Sequence, residues 1–221
     1  EGETLYYSFP ATPVDADFLV VYHKEILERH LQSLGFTAKG IEEGLAVILS
    51  ELPDEQFTGI GISFGGGMTN MCLAFMASSV TGFSVARGGD WIDQQVGAAV
   101  DMTAARVSKF KEGMLDLSKT EGLTKVEEAL SIYYNHLIEY VLTNFKKELG
   151  KMRSIPDFTK PIPVVLSGGT ALPKGFLQRF EKILSKIHFP IDIGEIRMAT
   201  QPLYSVAKGA LVAAMAEEVQ I

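Results

Sequence analysis

The stretch Gly59-Ile-Gly-Ile-Ser-Phe-Gly-Gly-Gly-Met-Thr-Asn-Met-Cys-Leu-Ala-Phe75 constrains this chain more than any other. Ile60, Ile62 and Phe64 alternate with small or polar residues, the period of a half-buried strand, and Met71, Leu73 and Phe75 alternate again. Between them stand Gly65, Gly66 and Gly67, which tolerate positive φ and present bare backbone. Thr69 adds a hydroxyl and an N–H. Successive N–H groups facing one concavity form an anion nest, usually for phosphate. The same residues also make an ordinary hairpin with a permissive loop. Two other glycine motifs are excluded. A dinucleotide fingerprint needs a helix straight after the glycines, and here a strand-type segment follows. A P-loop needs G-x-x-x-x-G-K-[ST], which the chain lacks.

Composition narrows the function classes. A chain of 221 residues, 47% hydrophobic, can bury a proper core as one sizeable domain or two small lobes. A net charge of −7 argues against non-specific binding to nucleic acid or anionic membrane. Cys72, the one cysteine, lies in an apolar strand; it leaves no disulfide framework and fits a reducing cytoplasm. His23, His30, His136 and His188 are scattered, so no metal site is expected. No apolar run is long enough to span a membrane. Leu203 to Met215 is too short, carries Lys208, and reads as a buried helix. The chain opens at Glu1 rather than at methionine, which suggests a piece of something longer.

In chain order, Thr4 to Pro10 predicts a strand, and Asp15 a cap for a helix reaching about Leu34. Phe18, Val21, Tyr22, Leu27, Leu31 and Leu34 would form its apolar face, with Gly35 as its stop. A second helix follows over about Glu43–Leu52, then a turn at Pro53. After the β-turn-β, Gly82 to Arg87 predicts a third strand, Arg87-Gly-Gly-Asp90 a turn, and Trp91 to Met102 a helix. From Val126 to Leu149 apolar residues recur at three and four, the strongest helical signal in the chain, with Gly150 as its stop. Val164 to Pro173 reads as a buried strand breaking at Gly168-Gly169, followed by a helix to about Ile187 and a strand near Ile191–Ile196. Strands alternating with helices predict an α/β architecture.

Two glycine elements, each leaving a strand, reinforce one another. Ser63-Phe-Gly-Gly-Gly-Met-Thr-Asn70 resembles the second phosphate loop, D-x-G-G-G-T-T-D, of the actin, sugar-kinase and heat-shock-chaperone ATPase superfamily. Gly88-Gly89-Asp90 matches its x-G-G-[DE] turn, and Gly168-Gly169-Thr170-Ala171 with Gly175 its adenosine motif. Pro202-Leu203 and Val206-Ala207-Lys208-Gly209-Ala210 match its closing helix. Phe9-Pro10 and Glu43-Gly-Leu-Ala46 stand where it has V-P and E-P-x-A-A. The look is closest to bacterial shape-determining actin homologues and chaperone ATPase domains. The resemblance covers nearly the whole chain in the expected order. It implies an actin-like ATPase (ribonuclease H-like) fold, a mixed sheet flanked by helices with a helical small subdomain. Residues 1–56 would end a first lobe, 57–200 form a second with its subdomain at about 104–155, and 201–221 return to the first.

The resemblance also implies ATP or ADP as ligand, with or without Mg²⁺. Gly65, Gly66, Gly67 and Thr69 would meet the phosphates, Gly168, Gly169 and Thr170 the adenosine, and Ser63 the loop's opening position. A lysine of the ribose contact is kept at Lys109, which otherwise reads as a solvated helix lysine; the family's glutamate there falls near Arg106. The departures weigh as much. The family's first phosphate loop, D-x-G-[ST], is absent and would lie upstream of Glu1. Ser63 and Asn70 replace two carboxylates that hold Mg²⁺ through water, and hard cations want carboxylate oxygens. Glu43 is the acid left to orient water, or else a carboxylate on a helix N-terminus. Asp90 reads as a helix cap. An adenine-nucleotide-binding protein with weak or lost hydrolysis is therefore expected in the cytoplasm. The alternatives are a nucleotide-free scaffold or a homo-oligomeric, filament-forming cytoskeletal protein, and, more remotely, a sugar or acetate kinase.

Overall fold

A five-stranded mixed sheet of order β5-β4-β3-β6-β7 organises the computed structural model, which describes residues 3–17 and 20–218. Strands β3 (Gly59–Phe64), β4 (Thr69–Phe75) and β5 (Ser78–Val85) form an antiparallel meander. On the other side of β3 lie β6 (Ile162–Ser167) and β7 (Ile193–Met198), both parallel to it in sequence. The helical residues 104–155 resolve into α4 (Ala104–Met114) and α5 (Lys125–Lys151), which with α3 (Gly89–Val100) and α6 (Phe176–Leu184) cover one face. Thr124 and Glu127 start α5 with a reciprocal capping box. Helix α5 runs through Gly150 and ends at Lys151, so that glycine does not stop it.

Helix α2 (Glu43–Glu51) covers the opposite face, packing Val47, Ile48 and Leu52 on Cys72, Ala74 and Val165. Strand β3 is consequently buried on both sides, not half-buried as its alternation predicts. Its small residues make room for a helix: a Cβ at Gly61 would collide with the Gly44 carbonyl oxygen and crowd Val47 and Ile48. Cys72 faces α2 with its thiol 3.5 Å from Ser79 Oγ.

Strands β1 (Thr4–Phe9) and β2 (Thr37–Glu42) form a separate parallel pair, joined by α1 (Val20–Ser33). Phe18 lies outside the described residues. Val21 and Tyr22 are 66% and 60% exposed, and Leu27 and Leu34 are exposed with them, so the anticipated apolar face of α1 does not enter a core. The Asp15 carboxylate, expected to cap this helix, is engaged elsewhere. It accepts from Ala86 N at 2.8 Å and from Tyr140 Oη at 3.1 Å, fastening residues 11–15 across β5 to α5. Gly35, at φ +92°, ends α1 as expected.

Helix α7 (Ser205–Glu218) packs on α2 and β1, with Ala210 and Val206 against Ala46 and Leu45. Leu203, Tyr204, Leu211 and Met215 are exposed, so the apolar C-terminal segment is half-packed rather than buried. No helix among the described residues is long and apolar enough to cross a membrane.

One buried carboxylate joins α2 to the end of β7. Glu51 Oε2 accepts from Arg197 at 3.1 Å, Thr200 N at 3.0 Å and Thr200 Oγ1 at 2.9 Å. Burial alone would raise its pKa, but the Thr200 and Arg197 bonds outweigh burial and hold it below the ordinary value. A carboxyl depressed in the folded state stabilises above its unfolded pKa, and that stability is lost as pH falls through the folded value. Glu51→Gln should therefore flatten the decline of melting temperature below about pH 4. An acid limb as steep as in the wild type would refute this.

Candidate functional site

Because β3 and β6 are parallel neighbours, their C-terminal ends release the chain at one edge of the sheet, where Ser63 pairs with Ser167. Ligands of open α/β sheets bind at such carboxyl ends. The two glycine turns meet there. Thr170 Oγ1 donates to Gly65 O at 2.8 Å. Gly168, the N-cap of a short 3-10 turn at Gly169–Ala171, has φ +94°, and a Cβ on it would collide with the Phe64 carbonyl oxygen. Only glycine fits there.

The first turn is closed by Gly65 N donating to Met68 O at 3.0 Å. Gly88 backs it so closely that a Cβ would strike the carbonyl oxygens of Gly65 and Gly66. Gly89 N and Asp90 N donate to those two oxygens at 3.0 and 2.9 Å. The carbonyls are thus tied down, while the N–H groups of Gly66 and Gly67 donate to no protein acceptor among the described residues. Space beside Gly67 is open. This is the geometry of a turn that can receive an anion. Thr69 is turned away from it, since its hydroxyl donates to Arg87 O at 2.8 Å and holds β4 to the Gly88–Gly89 turn. The hydroxyl anticipated for phosphate is already committed; the Thr69 main chain belongs to the ladder with β5.

The floor is a three-residue polar knot. Glu43 Oε2, at the start of α2, accepts from Ser63 Oγ at 2.9 Å and Asn70 Nδ2 at 3.1 Å. Asn70 Oδ1 in turn accepts from Ala11 N at 3.0 Å. Glu43 is half-buried, and Ser63 and Asn70 are buried. Asp90 does not cap α3: the N-cap is Gly88, without a side-chain bond. Its exposed carboxylate flanks Gly66, with Oδ1 3.4 Å from where a Cβ there would stand. Beyond Gly169 opens a cavity of about 390 Å³ between the C-terminal end of α4 and the Leu172–Lys174 segment, with Tyr134 at its wall.

A family profile described as Volactin matches residues 1–214. The chain belongs to the Volactin family. No curated protein matches it. Among solved structures, ethanolamine utilization protein EutJ from Carboxydothermus hydrogenoformans is 16% identical, with a TM-score of 0.63 over 96% of this chain and 66% of that one. The MamK double helical filament is 16% identical at a TM-score of 0.74, covering 96% of this chain and 69% of that one. MreB 5 of Spiroplasma citri bound to AMPPNP is 14% identical at 0.73, covering 98% and 70%. The Volactin-family chain thus spans about two thirds of the length of these structures and has an actin-like fold, as its motifs imply.

In this Volactin-family chain Lys109 is exposed on α4, one turn before Glu112, which lines the cavity. Sequence reasoning missed Lys111. It is buried, paired with Asp93 at 2.7 Å, and donates to Gly89 O at 3.0 Å. Its signal was a lysine one helical turn after Val107, on the buried side of α4. Asp93, between Ile92 and Val96 on the buried side of α3, carried the same kind of signal and was missed likewise.

Proposed function

We propose that the chain binds an adenine nucleotide, ATP or ADP, where the two glycine turns meet. The observation that carries the reading is their contact at the ends of β3 and β6, with free N–H groups at Gly66 and Gly67 on one turn and a cavity at Gly169 on the other. Phosphates would lie on Gly65–Gly67, the adenosine against Gly168–Gly169, and the base between Glu112 and Leu172, with Lys109 at the ribose. Thr170 would act by fixing Gly65 rather than by touching ligand. MreB 5 of Spiroplasma citri has been solved with AMPPNP and with ADP, which supports the same ligand class here. In this reading residues 1–56 and 201–221 form one wall of the cleft and 57–200 the other, with 104–155 above the base, and the protein works in the cytoplasm.

Mg²⁺ fits the site less well than the nucleotide. No group of three metal-ligating side chains occurs among the described residues, and Glu43 already accepts two bonds through one oxygen. Ser63 and Asn70 offer only neutral oxygens, so the cation would be held chiefly by phosphates and water. Calorimetric titration should show ADP binding that a chelator weakens by no more than about tenfold. Absence of binding by folded protein at millimolar ADP and ATP would defeat the proposal.

A second reading, assembly into filaments, is favoured by the likeness to the MamK filament. Sedimentation with and without ATP tests it, since a chain that stays monomeric at high concentration in both conditions does not polymerise.

A further inference from the structure

The buried pair of Asp93 and Lys111 belongs to none of the glycine motifs, yet it sits where the proposed phosphate and base regions join. The Asp93 and Lys111 side chains are 5% and 8% exposed. Lys111 Nζ donates to Gly89 O, while Gly89 N donates to Gly65 O, the same oxygen that receives the Thr170 hydroxyl. A Cβ at Gly89 would stand 2.7 Å from Thr170 Oγ1 and 3.0 Å from Lys111 Nζ, so the lysine, the threonine and both turns converge on one point. Lys111 also lines the cavity facing Gly169. The second carboxylate oxygen of Asp93 has no hydrogen-bond partner, nor has the buried Tyr134 hydroxyl. Lys111 is therefore the cation that compensates Asp93, and it is pinned in place by doing so.

We infer that Lys111 is a positioning residue, clamped by Asp93 so that it holds the Gly88–Gly89 turn behind Gly65–Gly67 and aims the free N–H groups at a diphosphate. The inference rests on the nucleotide reading of the cleft. It predicts that substituting Lys111 costs ADP more affinity than adenosine, because the side chain holds the phosphate turn as well as bordering the base cavity. A residue that merely supports the fold would change both together.

The test is titration of adenosine and ADP against the wild type, Lys111→Arg, and the double variant Lys111→Met/Asp93→Leu. The double variant removes both charges and fills the space with apolar groups, a replacement that buried ion pairs generally tolerate. Circular dichroism and melting establish that each variant is folded. In the double variant ADP affinity should fall about tenfold or more, the worth of a hydrogen bond to a charged group, and clearly more than adenosine affinity. Lys111→Arg keeps a cation on Asp93 and should retain part of the ADP increment. Equal losses for both ligands, or no loss for ADP, overturn the positioning role and leave the nucleotide site standing. Failure of the wild type to bind either ligand overturns both. Should the double variant not fold, Lys111→Arg decides alone: a weaker ADP increment over adenosine supports the role, and any other result refutes it.

Discussion

Gly209→Ala is expected to lower stability by about 2–3 kcal/mol, the cost of overpacking a tight contact. That corresponds to roughly 5–10 °C in melting temperature for a chain of this size. A Cβ at Gly209 would collide with the carbonyl group of Ala46, and those are backbone atoms inside α2 that cannot swing aside. Ala46 is fully buried at the crossing of α2 and α7, among Ile41, Leu45, Val206 and Ala210. The helices would have to separate, withdrawing Leu45 and Val206 from the core. Since α2 also carries Glu43, the floor of the cleft would move with it. Gly150→Ala is the control, because that glycine lies in α5 with open space around it and should be neutral or slightly stabilising. Thermal melts of the two variants decide the point; a Gly209→Ala protein that melts with the wild type would remove α7 from the packing argument.

ATP turnover should be slow even where nucleotide binds. Hydrolysis of a triphosphate depends on positioning and on charge stabilisation in the site, and losing one such group commonly costs a hundred- to a thousand-fold. Here Ser63 and Asn70 supply no charge, and Glu43 Oε2 already accepts from both. Binding is spared, because the glycine N–H groups owe nothing to those side chains. The combination Ser63→Asp and Asn70→Asp should raise phosphate release at least about tenfold, and only with Mg²⁺ present. Without a cation the new acids would crowd Glu43, and like charges at hydrogen-bond distance repel. A fast wild-type rate that the substitutions leave unchanged would end the weak-hydrolysis proposal.

The elements that announced themselves in sequence did so through local period and local chemistry. β4 showed its alternation, α5 its spacing of three and four, and Gly35 its left-handed stop. Gly168 announced the second turn because a strand broke at two glycines, although its reason, the Phe64 carbonyl, lies about a hundred residues away along the chain. What stayed hidden was long-range partnership. Asp15 looks like a cap in any local window, and its partners Ala86 and Tyr140 lie just past the end of β5 and on α5. The apolar residues of α1 and α7 were read as core because composition reports affinity for burial, not the presence of something to bury against. Gly61 reads only as a small residue in a strand, and its reason, the close approach of α2, is equally non-local. At the site, Lys111 and Asp93 carry no motif, since an ion pair between two helices has no fixed spacing along the chain.

Cys72 has a practical consequence. Burial, opposed by the Ser79 hydrogen bond and aided by the charge of Glu42, pushes its thiol up to about 12. Alkylating and oxidising reagents act on the thiolate, so at neutral pH this sulfur is nearly inert. It is also the only one of its kind in the sequence. A cysteine introduced at an exposed position such as Lys109 or Leu211 would then be the single reactive handle, and maleimide dyes or spin labels could be attached without first removing the native residue. Two such cysteines, one on each side of the cleft, would make distances across it measurable with and without ligand while Cys72 stays in place.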